Sequence, residues 1–185
     1  NKNIKNFCGY PIISYSIKNA LKSNTIDKVY VSTESNQIAE VAIKYGANVP
    51  FLRDKNLADD YTTTIDVVKD FISKIIKTEG VIDHVCCLYP CSPLADSKLI
   101  DLVFRNYIKS KCDFAYPIIK YGHTPYRALK KGSNNKMEFL FTKNELKRTQ
   151  DFEPLFHDAG QFYWGRTKNW TMNEKMHSSG FGFEV

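Results

Sequence analysis

The chain has 185 residues, of which 43% are hydrophobic and 14% are aromatic. This length and composition are enough to bury the core of one domain, and they exclude a globally disordered protein. Lys and Arg outnumber Asp and Glu by 26 to 20, which gives a formal charge of +6. The charge favours anionic partners, but it does not distinguish nucleic acid from nucleotides or acidic sugars.

The cysteines and the apolar segments indicate a compartment. The cysteines number five and contain no C-x-x-C pair, so neither a zinc site nor a disulfide framework is expected. No apolar segment reaches membrane-spanning length, and no secretory signal is visible. The sequence therefore predicts a cytoplasmic protein without membrane contact.

The first part of the chain alternates helical and strand patterns. Pro11 stands at the start of a helix that carries Ile13, Ile17 and Ala20 along one face. The run KVYVST has the composition of a strand, and the following SNQIAEVAIKYGA has apolar residues at helical spacing. Gly46 then stands where a helix C-terminal glycine belongs.

The alternation continues to residue 119. NVPFLR is a second short strand pattern, and TTTIDVVKDFISKIIKTEG predicts a helix with threonines at its start. DHVCCLY is an unalternating apolar run typical of a strand covered on both faces. DSKLIDLVFRNYIKSK and DFAYPII predict the next helix and strand. Together these patterns predict an α/β fold: a Rossmann-like, mostly parallel sheet flanked by helices and joined by right-handed crossovers.

The pattern changes after Ile119. Residues 120–150 contain no long amphipathic helix, and ALKKGSNNKMEFLF predicts two strands joined by a Gly-Ser-Asn-Asn turn. This hairpin excursion is interpreted as an edge flap or a dimer arm. Because it is too small to be a separate domain, residues 1–185 are expected to form a single domain.

Ligands of an open parallel sheet gather at the carboxyl ends of its strands. The segments that follow the predicted strands are rich in hydroxyl groups, Arg, Lys and Pro, which suit a polar anionic molecule: STES, RDKNLADDYTTT, YPCSPLADS, KYGHTPYR and GRTKN. Arg53 is a planar donor at a strand end and fits a base edge or a phosphate. Lys2 and Asn3 precede a helix and can bring donors to a phosphate.

Simpler interpretations stand beside these. The threonines at 62 to 64 are also typical of a helix cap, and His123 and His157 have no metal-ligand spacing. No Walker loop, G-x-G-x-x-G fingerprint or Ser-His-Asp order is present. Composition and spacing alone therefore indicate an α/β protein that binds an anionic small molecule.

Longer runs of the sequence resemble a known family. NKNIKNFCGYPIISYSI, VYVSTESNQIAEVAIKYGANVPFLRDKNLADDYTTTIDVV and YPCSPL resemble the cytidylyltransferases that activate nine-carbon acidic sugars, the CMP-sialic acid synthetase family. HTPYRAL, KRTQD and FHDAGQFYWG are similar to the branch that acts on pseudaminic acid. The resemblance implies a nucleotide-diphospho-sugar transferase fold. It also implies transfer of CMP from CTP to the sugar, release of pyrophosphate, and Mg²⁺ as cofactor.

The resemblance also implies the site residues. Lys2 contacts phosphate and takes part in catalysis, and Asn3 makes an adjacent nucleotide contact. Arg53, Thr62 and Thr64 hold the cytosine and ribose. The sugar site uses an aromatic residue, two arginines matched to the sugar carboxylate, and the HDAGQF turn: Tyr89, Arg127, Arg148, Asp158, Gly160 and Gln161.

The stretch FHDAGQFYWG divides into two parts on this interpretation. Strand alternation assigns Phe162 and Trp164 to a core face and Gln161 to the opposite face together with Tyr163. Residues 158–160 are expected to form the turn that precedes the strand. Gly160 permits close approach of a ligand, and Asp158 and Gln161 can bond sugar hydroxyls or amides.

The resemblance leaves alternatives open. Ala159-Gly160 stands where sialic acid enzymes have Asn-Gly, which argues against plain sialic acid. The alternatives are a synthetase for sialic acid, legionaminic acid or Kdo, and a non-catalytic module that binds a nucleotide or sugar. The net charge is the one feature that favours binding of nucleic acid, and such binding is not expected.

The family has a first strand and a basic nucleotide loop, of which only the last residues occur here, and an Asp-x-Asp magnesium motif that does not occur within residues 1–185. The chain is therefore interpreted as truncated at both ends, and no metal ligand is expected in it. The full-length protein is expected to be an enzyme, and the chain as given to be poorly active. The resemblance also implies a homodimer in which residues 120–150 reach over the partner.

Overall fold

The computed structural model describes residues 2–172, 175–178 and 180–185. The chain divides into two compact units. Unit 1 comprises Asn1–Pro117 and Gly160–Phe183, and unit 2 comprises Ile118–Ala159 and Glu184–Val185. Unit 2 includes the predicted excursion at 120–150, and the assignment of 1–185 to a single domain stays a prediction.

The helices of unit 1 lie where the apolar spacing predicts them, with α5 in addition. They are α1 (Ile12–Leu21), α2 (Asn36–Lys44), α3 (Thr64–Glu79), α4 (Ser97–Lys109) and α5 (Thr167–Met172). Three begin after a capping side chain that accepts a backbone N–H bond: Ser35 for α2, Thr63 for α3 and Asp96 for α4.

The strands are short. They are β1 (Asn6–Phe7), β2 (Tyr10–Pro11), β3 (His84–Leu88), β4 (Phe114–Lys120), β5 (Leu129–Lys131), β6 (Met137–Phe139), β7 (Phe156–Asp158), β8 (Phe162–Arg166) and β9 (Gly180–Glu184). The predicted strands DHVCCLY and DFAYPII are confirmed as β3 and β4. The β1–β2 pair is a small separate ribbon that precedes α1.

The strand direction differs from the sequence prediction. In unit 1, β3 pairs antiparallel with β8, from His84 opposite Arg166 to Leu88 opposite Phe162. The start of β4 also pairs antiparallel with β8, with Ala115 opposite Trp164. Strands β3 and β4 therefore run in the same direction, as expected for strands joined through a helix, but β8 lies between them. The expectation of a mostly parallel sheet is wrong because a late, reversed segment occupies the central position.

Two further predicted strands are reduced to one parallel bridge. Tyr30 pairs with Asn48, the N–H of Val31 donates to the carbonyl of Asn48 at 2.9 Å, and the N–H of Asn48 donates to Val29 at 2.8 Å. Pro50 follows and has no N–H to extend the ladder. KVYVST and NVPFLR therefore run side by side without forming named strands.

Apolar clusters of described residues pack within unit 1. The first lies between α4 and the sheet and comprises Ala95, Ile100, Val103, Tyr107, Ala115, Phe162 and Trp164. The indole N–H of Trp164 donates to the carbonyl of Ile100 at 3.2 Å. The assignment of Phe162 and Trp164 to the core is thereby confirmed. The second cluster joins α1 and α2 and comprises Ile13, Ile17, Ile38, Ala42 and Ala47.

Unit 2 contains the predicted hairpin. β5 pairs antiparallel with β6, with Leu129 opposite Phe139. Asn134 and Asn135 in the connecting turn have φ of 57° and 62°, a left-handed conformation that asparagine tolerates better than most residues. The last residues of β4 pair antiparallel with β7, with Ile118 opposite Asp158.

Candidate active site

Tyr89 follows β3 and joins three parts of unit 1. Its N–H donates to the carbonyl of Gln161 at 2.9 Å, and its own carbonyl accepts from the hydroxyl of Ser16 at 3.0 Å. Its hydroxyl oxygen lies 3.0 Å from Oγ1 of Thr64 at the start of α3. The structure thus brings together Thr64, Tyr89 and Gln161, which the sequence placed on different strands and helices.

An aromatic wall stands beside Tyr89. The ring of Tyr163 lies 5.4 Å from Tyr89, 5.8 Å from Tyr116 and 5.9 Å from His177, measured between centroids. The Tyr116 ring packs closely on the backbone at Gly180, where a Cβ would lie only 2.3 Å from the ring. Strand alternation had placed Tyr163 opposite the core face, and that side of β8 is where it contacts the candidate site.

A cavity of about 570 Å³ opens at the start of α3. Its walls come from that helix and from a late segment of the chain: Thr63, Thr64, Ile65, Lys175, Met176, His177 and Ser178. The volume is in the range of small-molecule sites. Sequence reasoning missed Lys175 and His177, because no motif surrounds them and only the fold brings them to Thr64.

Another cavity, of about 290 Å³, lies beside α2 and contains no predicted site residue. It is therefore not assigned to the site.

The three threonines at the start of α3 have different partners. Thr63 caps the helix by accepting the N–H of Asp66 at 3.2 Å. Thr62 donates from its hydroxyl to Asp59 at 2.7 Å, a bond that lowers the pKa of Asp59 together with backbone N–H donors. Thr64 turns instead toward Tyr89. The helix-cap interpretation therefore holds for Thr63, while Thr64 belongs to the candidate site.

Arg53 is held by the loop that precedes α2. Its Nη2 lies 2.7 Å from Oε2 of Glu34, and its backbone N–H donates to the carbonyl of Thr33 at 2.8 Å. Within the described part of the chain, its Nε is buried and has no hydrogen-bond partner. Arg53 therefore keeps donor capacity for an acceptor outside the chain.

Lys2 and Asn3 lie in a 3₁₀ turn, Lys2–Ile4, that precedes the β1–β2 ribbon. Ile4 anchors the turn by packing on the cluster between α1 and α2. Oδ1 of Asn3 accepts from Sγ of Cys91 at 3.3 Å, two residues beyond Tyr89. Asn3 is thus placed next to the segment that carries Tyr89, and Lys2 is exposed beside it.

Gln161 is fixed by its backbone and leaves its side chain available. Its carbonyl accepts from Tyr89 and also from the hydroxyl of Ser92 at 3.3 Å. Its side-chain Oε1 is buried and, among the described residues, has no donor. A buried acceptor of this kind is usually satisfied by water or by a ligand. Gly160 precedes it with φ of 63°, a conformation that favours glycine.

The remaining predicted sugar residues belong to unit 2. Asp158 is the last residue of β7 rather than part of a turn, because it pairs with Ile118 of β4. The expectation that residues 158–160 form one turn is therefore wrong for Asp158.

The two arginines of unit 2 have protein partners. Nη1 of Arg127 donates to the carbonyl of Lys147 at 2.6 Å. Arg148 donates to Asp151 through both Nε and Nη2, at 3.1 and 2.9 Å. This fork-to-fork geometry is the one by which arginine binds a carboxylate.

The described residues contain no cluster of side chains that could hold a metal ion. Among residues 2–172, 175–178 and 180–185, no three His, Cys, Asp or Glu side chains lie together as a metal site. The Mg²⁺ implied by the resemblance is therefore not assigned to any side chain of this chain. The described helices are also too short or too polar to cross a membrane.

The fold is that of a nucleotidyltransferase. A solved structure of CMP:2-keto-3-deoxy-manno-octonic acid synthetase complexed with CTP superposes with a TM-score of 0.70 at 13% identity, over 100% of this chain and 83% of that one. The family model for cytidylyltransferases matches residues 1–183, and the chain belongs to this family.

Two curated relatives agree with this assignment. A pseudaminic acid cytidylyltransferase of Campylobacter jejuni is 39% identical over 183 residues, 97% of this chain and 79% of the relative. A CMP-N,N'-diacetyllegionaminic acid synthase of Legionella pneumophila is 39% identical over 178 residues, 96% of this chain and 76% of the relative. The resemblance to the cytidylyltransferases that activate acidic sugars is thereby confirmed.

Proposed function

We propose that this protein is a CTP-dependent enzyme that activates pseudaminic acid, a nine-carbon acidic sugar, as its CMP derivative. The family and the 39% identity to a pseudaminic acid cytidylyltransferase support the class of reaction. The observation that carries the proposal is the junction at Tyr89. It joins Thr64, on the proposed nucleotide side, to Gln161, on the proposed sugar side.

In the proposed reaction, the oxygen of the anomeric hydroxyl attacks the α-phosphorus of CTP. The bond from this phosphorus to its bridging oxygen breaks, pyrophosphate leaves with the electron pair, and the hydroxyl proton passes to solvent. Positioning and charge neutralisation carry most of such a transfer. Lys2 is proposed to neutralise phosphate charge, with Asn3 beside it, while Arg53, Thr62 and Thr64 hold the nucleoside.

The sugar contacts follow from donor and acceptor types. The unpartnered Oε1 of Gln161 suits a sugar hydroxyl or acetamido N–H. The cavity beside Thr64 gives room for the substituents of the sugar. Asp158 and Gly160 are proposed to contact the sugar, and Arg127 and Arg148 its carboxylate. Arg148 would exchange the carboxylate of Asp151 for that of the substrate.

We also infer a homodimer formed through unit 2. This unit exposes apolar side chains at Leu129, Met137, Leu140 and Leu146, whose exposed fractions are 51%, 50%, 57% and 98%. Contact with a second copy of the chain would remove such side chains from water, which is favourable. Analytical ultracentrifugation tests the proposal, and a monomer at assay concentration contradicts it.

Two further properties of the enzyme are proposed from its chemistry. Mg²⁺ would stabilise the phosphate oxygens of CTP, and chelation by EDTA is expected to abolish turnover. The reaction is proposed to occur in the cytoplasm, where CTP is available. Turnover that persists after complete chelation contradicts the metal requirement.

The test is pyrophosphate release from CTP with a panel of acids: pseudaminic, N,N'-diacetyllegionaminic, sialic and Kdo. We expect the highest kcat/KM with pseudaminic acid. The equal identity to the Legionella enzyme makes N,N'-diacetyllegionaminic acid the second candidate, and a preference for it would replace the first. CTP binding without turnover of any acid would support a non-catalytic module instead.

A further inference from the structure

We propose that Glu34 is a positioning residue of the nucleotide site: it orients the guanidinium of Arg53 toward CTP. The inference deepens the proposed function and rests on it, because it assumes that Arg53 contacts the nucleotide. Glu34 itself is not proposed to touch either substrate.

Two contacts hold Arg53 next to the segment that carries Glu34, one through its side chain and one through its backbone. Oε2 of Glu34 lies 2.7 Å from Nη2 of Arg53. The backbone N–H of Arg53 donates to the carbonyl of Thr33, the residue next to Glu34 in the chain. Thr33 is buried, at 3% exposure. The backbone bond already holds the segment of Arg53 next to that of Glu34. The side-chain contact with Glu34 can therefore restrict the rotation of the Arg53 side chain.

The neighbouring residue also restrains Glu34. Ser35 caps α2 through its side chain, and its N–H donates to the hydroxyl of Thr33 at 3.2 Å. A hydrogen bond from the backbone N–H of Glu34 lowers the pKa of its carboxyl, burial opposes this effect, and contact with Arg53 lowers the pKa further. Glu34 is thus an ionised group on a short, fixed loop.

The guanidinium of Arg53 has a buried N–H donor that the contact with Glu34 does not use. The Arg53 side chain is 20% exposed and that of Glu34 is 35% exposed, so the contact is partly shielded from solvent. Nε of Arg53 is buried without a partner among the described residues. A buried N–H without an acceptor is costly, and an oxygen or ring nitrogen of a bound nucleotide would satisfy it.

This arrangement divides the work between the two groups. Glu34 engages one end of the guanidinium, and the remaining N–H groups keep a fixed direction for a planar or anionic acceptor. Pre-orientation of this kind improves binding because less side-chain freedom is lost when the ligand arrives. Removal of the Glu34 carboxylate leaves Arg53 charged, but its guanidinium can then adopt other orientations.

The first experiment compares Glu34→Gln, Glu34→Ala and Glu34→Asp in steady-state assays with CTP and pseudaminic acid. We expect Glu34→Ala to raise the KM for CTP about tenfold, Glu34→Gln about fivefold, and Glu34→Asp less than either. The KM for the sugar and the thermal midpoint without ligand are expected to change little. Glu40→Gln is the matched control, because Glu40 is an exposed carboxylate on α2.

The second experiment is a double-mutant cycle with Arg53→Ala, scored by the dissociation constant for CTP in calorimetry. If Glu34 acts through Arg53, Glu34→Ala has no further effect in the Arg53→Ala background. Additive losses overturn the proposal, as does a Glu34→Ala variant that binds CTP normally while Arg53→Ala does not.

A uniform rise in both substrate KM values together with a lower thermal midpoint also overturns it, since that pattern indicates a purely structural pair. Failure of the wild-type protein to bind CTP is a different outcome. It contradicts the proposed function itself, and the calorimetric measurement on the wild type separates the two cases.

Discussion

The hydroxyl oxygens of Tyr89 and Thr64 lie 3.0 Å apart and tie the end of β3 to the first residue of α3. Tyr89 is proposed for the sugar and Thr64 for the nucleotide. A single hydrogen bond therefore couples the two halves of the candidate site. Its loss is expected to affect both substrates rather than one.

Tyr89→Phe removes this bond and keeps the ring contact with Tyr163. A hydrogen bond of this type contributes about 1 kcal/mol, so we expect the KM values for CTP and sugar each to rise about fivefold. Steady-state kinetics checks the prediction, with Tyr61→Phe as the control because Tyr61 is 91% exposed. A rise for one substrate alone would show that the bond does not couple the two halves.

The sequence predicted the elements of this site better than their arrangement. Helices α1 to α4 follow from apolar residues at helical spacing, and the core role of Trp164 follows from alternation along β8. The position of β8 between β3 and β4 is a long-range pairing that no local pattern specifies. A parallel order was therefore the natural but wrong expectation.

The same limit applies to individual side chains. Thr63 caps α3, whereas Thr64 faces Tyr89. The two roles depend on the exact residue at which the helix begins, which the sequence does not specify. Lys175 and His177 reach the cavity only through the fold. By contrast, Gln161 could be proposed for the site from the sequence because it follows a glycine and directly precedes β8, both of which are local signals.

Gln161→Ala removes the buried, unpartnered Oε1 and leaves the backbone bond to Tyr89 in place. We expect the KM for the sugar to rise about tenfold, consistent with loss of one hydrogen bond in a buried site, while the KM for CTP stays within about twofold. Gln150→Ala, at an exposed position of unit 2, is the control. Equal losses for both substrates would contradict the assignment of Gln161 to the sugar.

Asp101 of α4 anchors the turn that follows α1. The residue is only 5% exposed, and its carboxylate accepts from the hydroxyls of Ser23 and Thr25 and from the N–H and side-chain amide of Asn24. Burial opposes ionisation of Asp101, but these hydrogen bonds outweigh it and lower its pKa. The fold therefore favours the charged form.

We expect Asp101→Ala to lower the free energy of unfolding by about 3 kcal/mol, because it leaves the buried hydroxyl of Ser23 and the half-buried hydroxyl of Thr25 without this acceptor. Since the folded pKa is depressed, the stabilisation is present above the ordinary carboxyl pKa and is lost as the pH falls through the folded value. Urea denaturation at several pH values measures both effects. Asp27→Ala at an exposed position is the control, and an unchanged acid limb in Asp101→Ala would contradict the assignment.

His84 of β3 predicts a second, separate pH effect. Burial and the nearby charge of Arg166 lower its pKa, Asp83 opposes the shift, and its Nε2 is buried without a partner in the described residues. The folded protein therefore favours neutral His84. Stability is complete above the ordinary histidine pKa and is lost as the pH falls from about 6.5 toward the folded value.

Replacement of His84 by Phe is expected to flatten this part of the stability curve, because Phe retains an edge contact with Phe104 and does not titrate. The measurement is urea denaturation between about pH 7 and pH 5, where histidine is the side chain that ordinarily titrates. His123→Phe, at an exposed position, is the control. An identical slope in the wild type and His84→Phe would contradict the prediction.

The cavity beside Thr64 provides the last prediction. Lys175 and His177 line it, so an acidic sugar entering the cavity meets a cationic side chain. Lys175→Gln removes the charge at similar length, and we expect the KM for the sugar to rise about fivefold, with a smaller dependence on salt than in the wild type. The KM for CTP is expected to change less than that for the sugar.

His177→Ala removes a ring that contacts Tyr116 and Tyr163, whereas His177→Phe keeps an aromatic ring at that position. If His177 serves the wall of the cavity, Phe restores sugar binding that Ala loses. If its nitrogen atoms contact the sugar, both variants lose binding to the same degree. Lys168→Gln on the exposed side of α5 is the control for charge. Sugar kinetics unchanged in Lys175→Gln and in both His177 variants would place the sugar outside this cavity.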